Sequence, residues 1–321
     1  MGRAFCQAPA SRKARVRTDV QRQSVRRHCD GRQAHGTTRA LSVFMTQTAA
    51  HASEASRQMD RINRRAWSAR STVESFRNRE GWTDPGERAA FDAVRAAAAD
   101  QPILDIGVGA GRTVPLLLSI SHDYVAVDYT PALLDICRQK YPRIRAVEGD
   151  ARNLYAFRTD SFQLVVFSFN GIDAVNAEDR AAILREVRRV LRPGGTFLFS
   201  THNRNGPGYD EPLSLGIHRT RNPLKLAARV GGAMVRAART IRNYRRYRDL
   251  ADDHDEYSIR NASAHDHGIV IHYVTQANQL TQLAAAEFRH PPLVFASSDG
   301  RRLSPVEAGR DAWWFHLVVR K

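Results

Sequence analysis

The sequence predicts an α/β protein with a mostly parallel sheet and helices on both of its faces. Three observations carry that prediction. Residues 103–106 (ILDI) form a short apolar run bounded by Pro102 and Gly107, the pattern of a buried parallel strand. A turn with Gly107, Gly109 and Gly111 follows, and residues 113–121 are then apolar at helical spacing. A second apolar run over 124–127 ends on Asp128. Strand, glycine turn, helix and second strand thus occupy one continuous stretch, the unit from which doubly wound sheets are built. Glycines let a backbone turn tightly and approach a ligand closely, and an acid at the tip of the second strand can accept both hydroxyls of a ribose. This stretch therefore predicts binding of a nucleoside-containing cofactor.

Composition narrows the classes. The chain has 321 residues, 42% hydrophobic and 26% charged, which suits a globular protein with one substantial core. No apolar run approaches 18 residues, so no transmembrane helix is expected. Cys6, Cys29 and Cys137 show no CxxC pairing and no metal-ligand spacing, which fits a reducing cytoplasm and predicts no metal. The net charge of +16 is unevenly spread. Residues 1–44 carry ten Lys/Arg against two Asp, and residues 213–248 carry ten Lys/Arg and no acid, leaving about −2 for the remainder. A core this close to neutral argues against a globally basic nucleic-acid surface.

Residues 1–58 are rich in Arg, Ser, Gln and Ala, with few aromatics and no period, and are expected to be disordered. A targeting segment, a basic arm, or upstream sequence preceding a start at Met45 or Met59 fit the same composition. Residues 59–100 are expected to form N-terminal helices that cover the site, with Ile62, Ala66 and Trp67 at apolar spacing and a turn over 81–86. Trp67 and Trp82 read as packing residues. Residues 101–321 then form the main domain, with an insertion at about 203–265.

After Asp128, Thr130 and Pro131 begin a helix, as N-cap and first-turn residue. Residues 144–147 predict a third strand, followed by Asp150 and Ala151. The run DSFQLVVFSFN over 160–170 predicts a fourth, and the loop after it reaches Asp173 at the sheet's carboxyl end, where ligands bind in open α/β folds. Residues 178–191 form an amphipathic helix, and LRPGG over 191–195 leads into a fifth strand at 196–201.

These motifs together resemble class I S-adenosylmethionine-dependent methyltransferases, of the small-molecule type. The resemblance rests on GxGxG with Asp105 two residues before its first glycine, on Asp150 and Ala151 after strand three, on the DxSF run, and on LRPGG. A dinucleotide fingerprint would place a third glycine where Arg112 stands. Gln163 replaces the usual second Asp of the DxSFD run, and NGID over 170–173 is not the NPPY or DPPY loop of enzymes that methylate amino groups of nucleobases or glutamine.

The resemblance implies a Rossmann-like seven-stranded mixed sheet, with strands six and seven at 293–296 and 314–319 and the last strand antiparallel. It implies S-adenosyl-L-methionine as cofactor, held by Asp105, Gly107, Gly109, Gly111, Asp128, Asp150 and Ala151. Phe169 and Asn170 would flank the methionine moiety, and Arg112 is a candidate for its carboxylate. The general base is chosen among His202, Asp173 and His272, with His202 first because it ends strand five; His265 and His267 lie in a loop that could fold back.

Within the insertion, residues 224–247 read as a basic amphipathic helix, Arg229, Arg236, Arg239, Arg242 and Arg246 alternating with apolar positions. As a lid it would recognise an anionic or lipid-like acceptor or lie on a membrane surface through 223–248. Alternatively its arginines are solvated and balanced by Asp249, Asp252, Asp253, Asp255 and Glu256. Residues 268–275 (GIVIHYVT) read as a strand returning to the site rim. The expected function is methyl transfer from S-adenosylmethionine to oxygen or nitrogen of a metabolite, sugar or lipid-like molecule. RNA or protein methylation, and a non-catalytic cofactor-binding or membrane-associated module, are the alternatives.

Overall fold

The structure is a computed structural model, described over residues 54–78, 80–209, 211 and 223–321, without the side chains of 223–229. The readings for residues 1–53, and for the part of the insertion at 212–222, lie outside the described residues. The chain begins with α1 (residues 54–67), α2 (Arg70–Arg77) and α3 (Pro85–Ala98). Asp84 starts α3 by accepting the Glu87 N–H at 2.8 Å, an N-cap ahead of Pro85 at the first position.

The sheet then builds outward from β1 (Ile103–Ile106), with all four side chains buried. Around it lie β2 (Tyr124–Asp128), β3 (Arg145–Glu148), β4 (Phe162–Phe167) and β5 (Leu191–His202). Two later strands, β9 (Leu293–Ala296) and β10 (Trp314–Arg320), complete seven in the order β3-β2-β1-β4-β5-β10-β9. The strands from β3 to β5 pair in parallel, and β10 runs antiparallel to both of its neighbours. The sheet is thus the seven-stranded mixed one expected. The LRPGG turn is drawn into the start of β5, where the register against β4 shifts between Phe162 and Leu164.

Helices α4 (Val114–Leu118), α5 (Pro131–Lys140) and α6 (Ala177–Val190) connect these strands. Two apolar clusters cover the sheet: one joins α3, α4 and α5 to Ile103, Ala126 and Leu164, and the other joins α6 to Val165, Phe197 and Phe199. Thr130 stands at the cap of α5 without a side-chain cap bond, and its backbone N–H is donated at 2.7 Å to the Asp128 carboxylate.

Helix α7 spans Pro223–Tyr247. After it comes a second, three-stranded antiparallel sheet of β6 (Asp252–Asp253), β7 (Ser258–Ala262) and β8 (Ile269–Tyr273), with α8 (Ala264–His267), a left-handed turn, between the last two. The returning strand read at 268–275 is β8, which pairs with β7, and just past it Val274 bridges to Asn203 and donates its N–H to the His202 carbonyl at the end of β5 at 3.2 Å. Finally, α9 (Gln276–Ala285) leads into β9, capped by the Thr275 hydroxyl at 3.1 Å.

Candidate active site

Two adjoining cavities open at the carboxyl ends of β1, β2, β4 and β5, which is where the crossover connections leave room in this topology. The first, about 80 Å³, is walled by the glycine turn, Asp128, Tyr129 and Phe169. The second, about 180 Å³, is walled by Asn170, Asp173, His202 and Ile271. Trp67, Phe169 and Ala174 belong to both walls, so the two spaces adjoin.

The first cavity is a nucleoside cradle built by backbone geometry. Gly107 and Gly109 take φ of +67° and +55°, and a Cβ on Gly107 would sit 2.7 Å from the Phe167 ring. The Gly109 N–H donates at 2.7 Å to Asp128 Oδ2, while Oδ1 takes the Thr130 N–H. Burial pushes the Asp128 carboxyl above the usual carboxylate range, against the opposing pull of those N–H groups. Asp128 is thereby fixed on the cavity wall, where a diol could share it.

The other residues expected to hold the cofactor are placed differently. Asp105 lies beneath the glycine turn and does not line the cavity: it accepts from Thr113 Oγ1 at 2.6 Å and Tyr124 Oη at 2.7 Å. Burial raises its carboxyl to about 6. Arg112 lines the cavity, but its terminal nitrogens are taken by Glu87 in a bidentate pair at 2.7 Å, by Ser168 Oγ at 2.8 Å and by the Trp82 carbonyl. It ties α3 to the turn instead of offering a free fork to a carboxylate. Asp150 is paired with Arg152 at 2.6 Å and with Arg64 of α1 at 2.9 Å, and Ala151 is packed into the core. Neither lines a cavity. An adenine amino group reaching Asp150 would compete with Arg64, whose guanidinium also covers the Tyr129 ring at 4.3 Å.

The second cavity holds a histidine–carboxylate pair. His202 Nδ1 lies 2.7 Å from Asp173 Oδ2, and the same oxygen accepts the His202 backbone N–H. Asp173 Oδ1 accepts from Thr201 Oγ1 at 2.8 Å and from the guanidinium of Arg180. Arg180 is itself fully buried on α6, held by Gln279, Gln282 and Thr201. Burial alone would raise the Asp173 carboxyl, yet the Arg180 charge and the His202 bonds outweigh it and hold it below the usual range. An ionised Asp173 keeps the proton on Nδ1 and leaves the Nε2 lone pair on the cavity side. There the nearest polar atom is Asn170 Nδ2 at 3.4 Å, while Asn170 Oδ1 is buried with no hydrogen-bond partner.

Phe169 and Asn170 adopt left-handed backbone angles, φ +55° and +60°, an uncommon state for a bulky residue such as Phe. The turn is pinned by the Asn170 N–H on Ser200 Oγ at 2.7 Å, and Phe76 and Trp82 pack edge-on to the Phe169 ring. Backbone strain of this kind clusters at functional sites.

One expectation is corrected here. His272, a candidate base, does not reach the cavity: it is buried, stacked 4.8 Å from Tyr257, with neither ring nitrogen hydrogen-bonded. Burial drives its pKa well below the ordinary imidazole value, so it is a neutral core residue. Trp67, read as packing, lines both cavities. Among the described residues, no group of three or more His, Cys, Asp or Glu could hold a metal ion, and no helix is long and apolar enough to cross a membrane.

Residues 103–195, from β1 to the start of β5, match the family described as "Methyltransferase domain". Over these residues the chain is similar to S-adenosylmethionine-dependent methyltransferases. It is 35% identical over 130 residues to a probable S-adenosylmethionine-dependent methyltransferase of Mycolicibacterium smegmatis, covering 40% of this chain and 49% of that protein. It is 33% identical over 129 residues to the demethylmenaquinone methyltransferase of Renibacterium salmoninarum, covering 40% and 52%. The chain therefore spans about half the length of these relatives. The structure of Burkholderia thailandensis 1,6-didemethyltoxoflavin-N1-methyltransferase, bound to 1,6-didemethyltoxoflavin and S-adenosylhomocysteine, shares the fold with a TM-score of 0.51 at 14% identity over 83% of this chain and 90% of that one. At this identity the likeness shows the fold alone.

Proposed function

We propose that this protein transfers a methyl group from S-adenosylmethionine to a hydroxyl of a small-molecule acceptor. One observation carries the reading: an oriented His202–Asp173 pair faces a small cavity that shares its wall with the nucleoside cradle. S-adenosylmethionine supplies an already activated sulfonium methyl, so the protein's work is to orient the nucleophile and remove its proton. The residues present fit that cofactor at the glycine turn and Asp128, which would hold the ribose. The orphaned Asn170 Oδ1 offers an acceptor oxygen to a bound donor group.

In this reading His202 Nε2 takes the hydroxyl proton, and Asp173 stabilises the imidazolium through Nδ1–H. Arg180 keeps Asp173 ionised and in place. Trp67, Ile271 and Phe169 exclude water from the reacting oxygen. A neutral amine attacks through a lone pair it already has and sheds its proton after transfer, whereas a hydroxyl becomes a strong nucleophile only as its proton is taken. That is why oxygen is favoured over nitrogen.

The test is calorimetric titration of the full chain with S-adenosylmethionine, S-adenosylhomocysteine and NADH, followed by an acceptor screen of phenols, sugars and other alcohols. Micromolar binding of the first two, none of NADH, and methylated hydroxyl products are expected. Preference for NADH, or methylation of amines alone, would overturn the reading.

A further inference from the structure

Outside the two cavities lies a third and larger concavity of about 870 Å³, between α1 and α2 on one side and α7 on the other. Five arginines face it: Arg65 and Arg70 from the first side, Arg239, Arg242 and Arg246 from α7. Among the described residues, the only carboxylate on its wall is Asp266, which is paired with Arg239 at 3.2 Å. Nearby, Glu211 is hydrogen-bonded to Ser263. Among the described residues, Arg65, Arg70, Arg242 and Arg246 have no carboxylate within ion-pair distance.

Elsewhere Arg64, Arg112, Arg152, Arg180, Arg189 and Arg301 are each paired with a carboxylate, while unpaired arginines such as Arg88, Arg143 and Arg310 stand on exposed surface. The cleft differs in gathering several unpaired guanidinium groups around one concavity. The acids that follow α7 do not balance it either. Asp249, Asp252 and Asp253 pair with Arg248, His254 and Arg260. Four uncompensated guanidinium groups converging on one concavity from two separate elements repel each other and attract an anion.

The cleft communicates with the chemistry. His265 lies on the walls of both the cleft and the His202 cavity, and adjacent residues of α1, Ala66 and Trp67, face the one and the other. The divide between them is the α8 turn, where His265, Asp266 and His267 take φ of +55° to +57° without a glycine among them. Thr72 Oγ1 at 3.1 Å from His265 Nδ1 and the Trp67 ring at 5.0 Å hold it. At about 180 Å³ the His202 cavity is smaller than a usual ligand site of roughly 300–1,000 Å³. An acceptor larger than one ring must extend past it, and the cleft shares its wall.

We propose that the arginine cleft holds a phosphate or diphosphate group carried by the acceptor, whose hydroxyl end enters the His202 cavity. The proposal rests on the reading of that cavity as the acceptor site. Planar guanidinium forks match phosphate oxygens two at a time, and several around one site favour a multiply charged anion over a single carboxylate. A soluble phosphorylated metabolite and a lipid headgroup share this chemistry. Val230, Met234 and Ile241, exposed on α7, would suit the second source.

The experiment titrates the full chain with inorganic pyrophosphate, following tryptophan fluorescence, and repeats it on Arg65→Glu/Arg242→Glu. Saturable binding that weakens with salt is expected, with a loss of about tenfold or more in the double variant. S-adenosylmethionine affinity should be unchanged in the same samples, which shows that the variant is folded. Should the double variant lose that affinity too, Arg70→Gln provides the same comparison with one uncharged replacement. Co-sedimentation with phosphatidylglycerol but not phosphatidylcholine vesicles, lost in the variant, assigns the phosphate to a lipid. Pyrophosphate binding without vesicle binding assigns it to a soluble acceptor. Absence of saturable pyrophosphate binding, or equal binding by wild type and variants, overturns the proposal. Because the readout is anion binding, failure of His202 as a base would leave it untouched.

Discussion

The molecule contains two Asp–His pairs of nearly equal geometry and opposite surroundings. His202 Nδ1 lies 2.7 Å from Asp173, and His316 Nε2 lies 2.9 Å from Asp84. The His202 side chain keeps 20% of its exposure and turns its second nitrogen to a cavity. His316 keeps 1%, and its second nitrogen is buried without a partner. Asp84 meanwhile caps α3 and accepts the Trp314 indole N–H, so that pair joins a helix to the last strand. A hydrogen-bonded Asp–His pair is therefore not a signature of chemistry. What the free ring nitrogen faces decides its role.

The same contrast separates two acids of the glycine turn. Asp128 and Asp105 are both buried and both accept two hydrogen bonds, but only Asp128 lies on a cavity wall. Breaking these two comparisons gives five expectations. The largest concerns Arg180→Met, which strips the charge partner from buried Asp173. Chemical denaturation should show a loss of about 3–5 kcal/mol, because an uncompensated carboxylate is left in the core. Next, His202→Asn should lower turnover by about 10²-fold or more while cofactor affinity is preserved. His316→Asn should instead cost about 1–3 kcal/mol of stability and leave turnover per folded molecule unchanged. Equal effects of the two histidine variants would erase the distinction.

The sequence makes one half of this legible and hides the other. The glycine turn, Asp128 and the strand order from β1 to β5 are readable because strand, turn, helix and strand follow one another within a short stretch. His202 is readable because β5 ends there. Choosing between His202 and His272 is not, since the face a strand residue occupies depends on a register that no local pattern fixes at β8. Arg180 stands on an amphipathic helix among other arginines, and nothing nearby announces that Asp173, Gln279 and Gln282 bury it. The strand β7 (SIRNA) lacks an apolar alternation, and its place is set by pairing with β6 on one side and with β8, brought to it by the turn at α8, on the other. Trp67 could not be told from a packing residue, because its second neighbour across the cavity, His265, is about 200 positions away.

Two smaller expectations sharpen the contrast between the acids. Asp128→Ala should weaken S-adenosylmethionine binding by about 1.5–3 kcal/mol in a calorimetric titration, as for hydrogen bonds to a charged group. Unchanged affinity would remove Asp128 from the ribose site. For Asp105, burial first, against its two hydroxyl donors, lifts the folded-state pKa from 3.8 to about 6. The folded protein then holds a proton that the unfolded chain releases, so this group's stabilisation is complete below about pH 4 and is lost as pH rises through about 6. Relative to Asp105→Asn, which stays neutral, wild-type stability should fall by no more than about 2–3 kcal/mol over that window. A constant difference between the two proteins would mean that Asp105 is not protonated in the fold.

The most direct test of the account follows the transferred methyl group itself. S-adenosylmethionine labelled in its methyl would be incubated with a small-molecule extract and the wild-type, His202→Asn or His316→Asn protein, at matched cofactor occupancy. The account predicts label in a hydroxyl-bearing acceptor with wild type and His316→Asn, and about 10²-fold less with His202→Asn. Undiminished transfer by His202→Asn, or none by a wild-type protein saturated with cofactor, would contradict it.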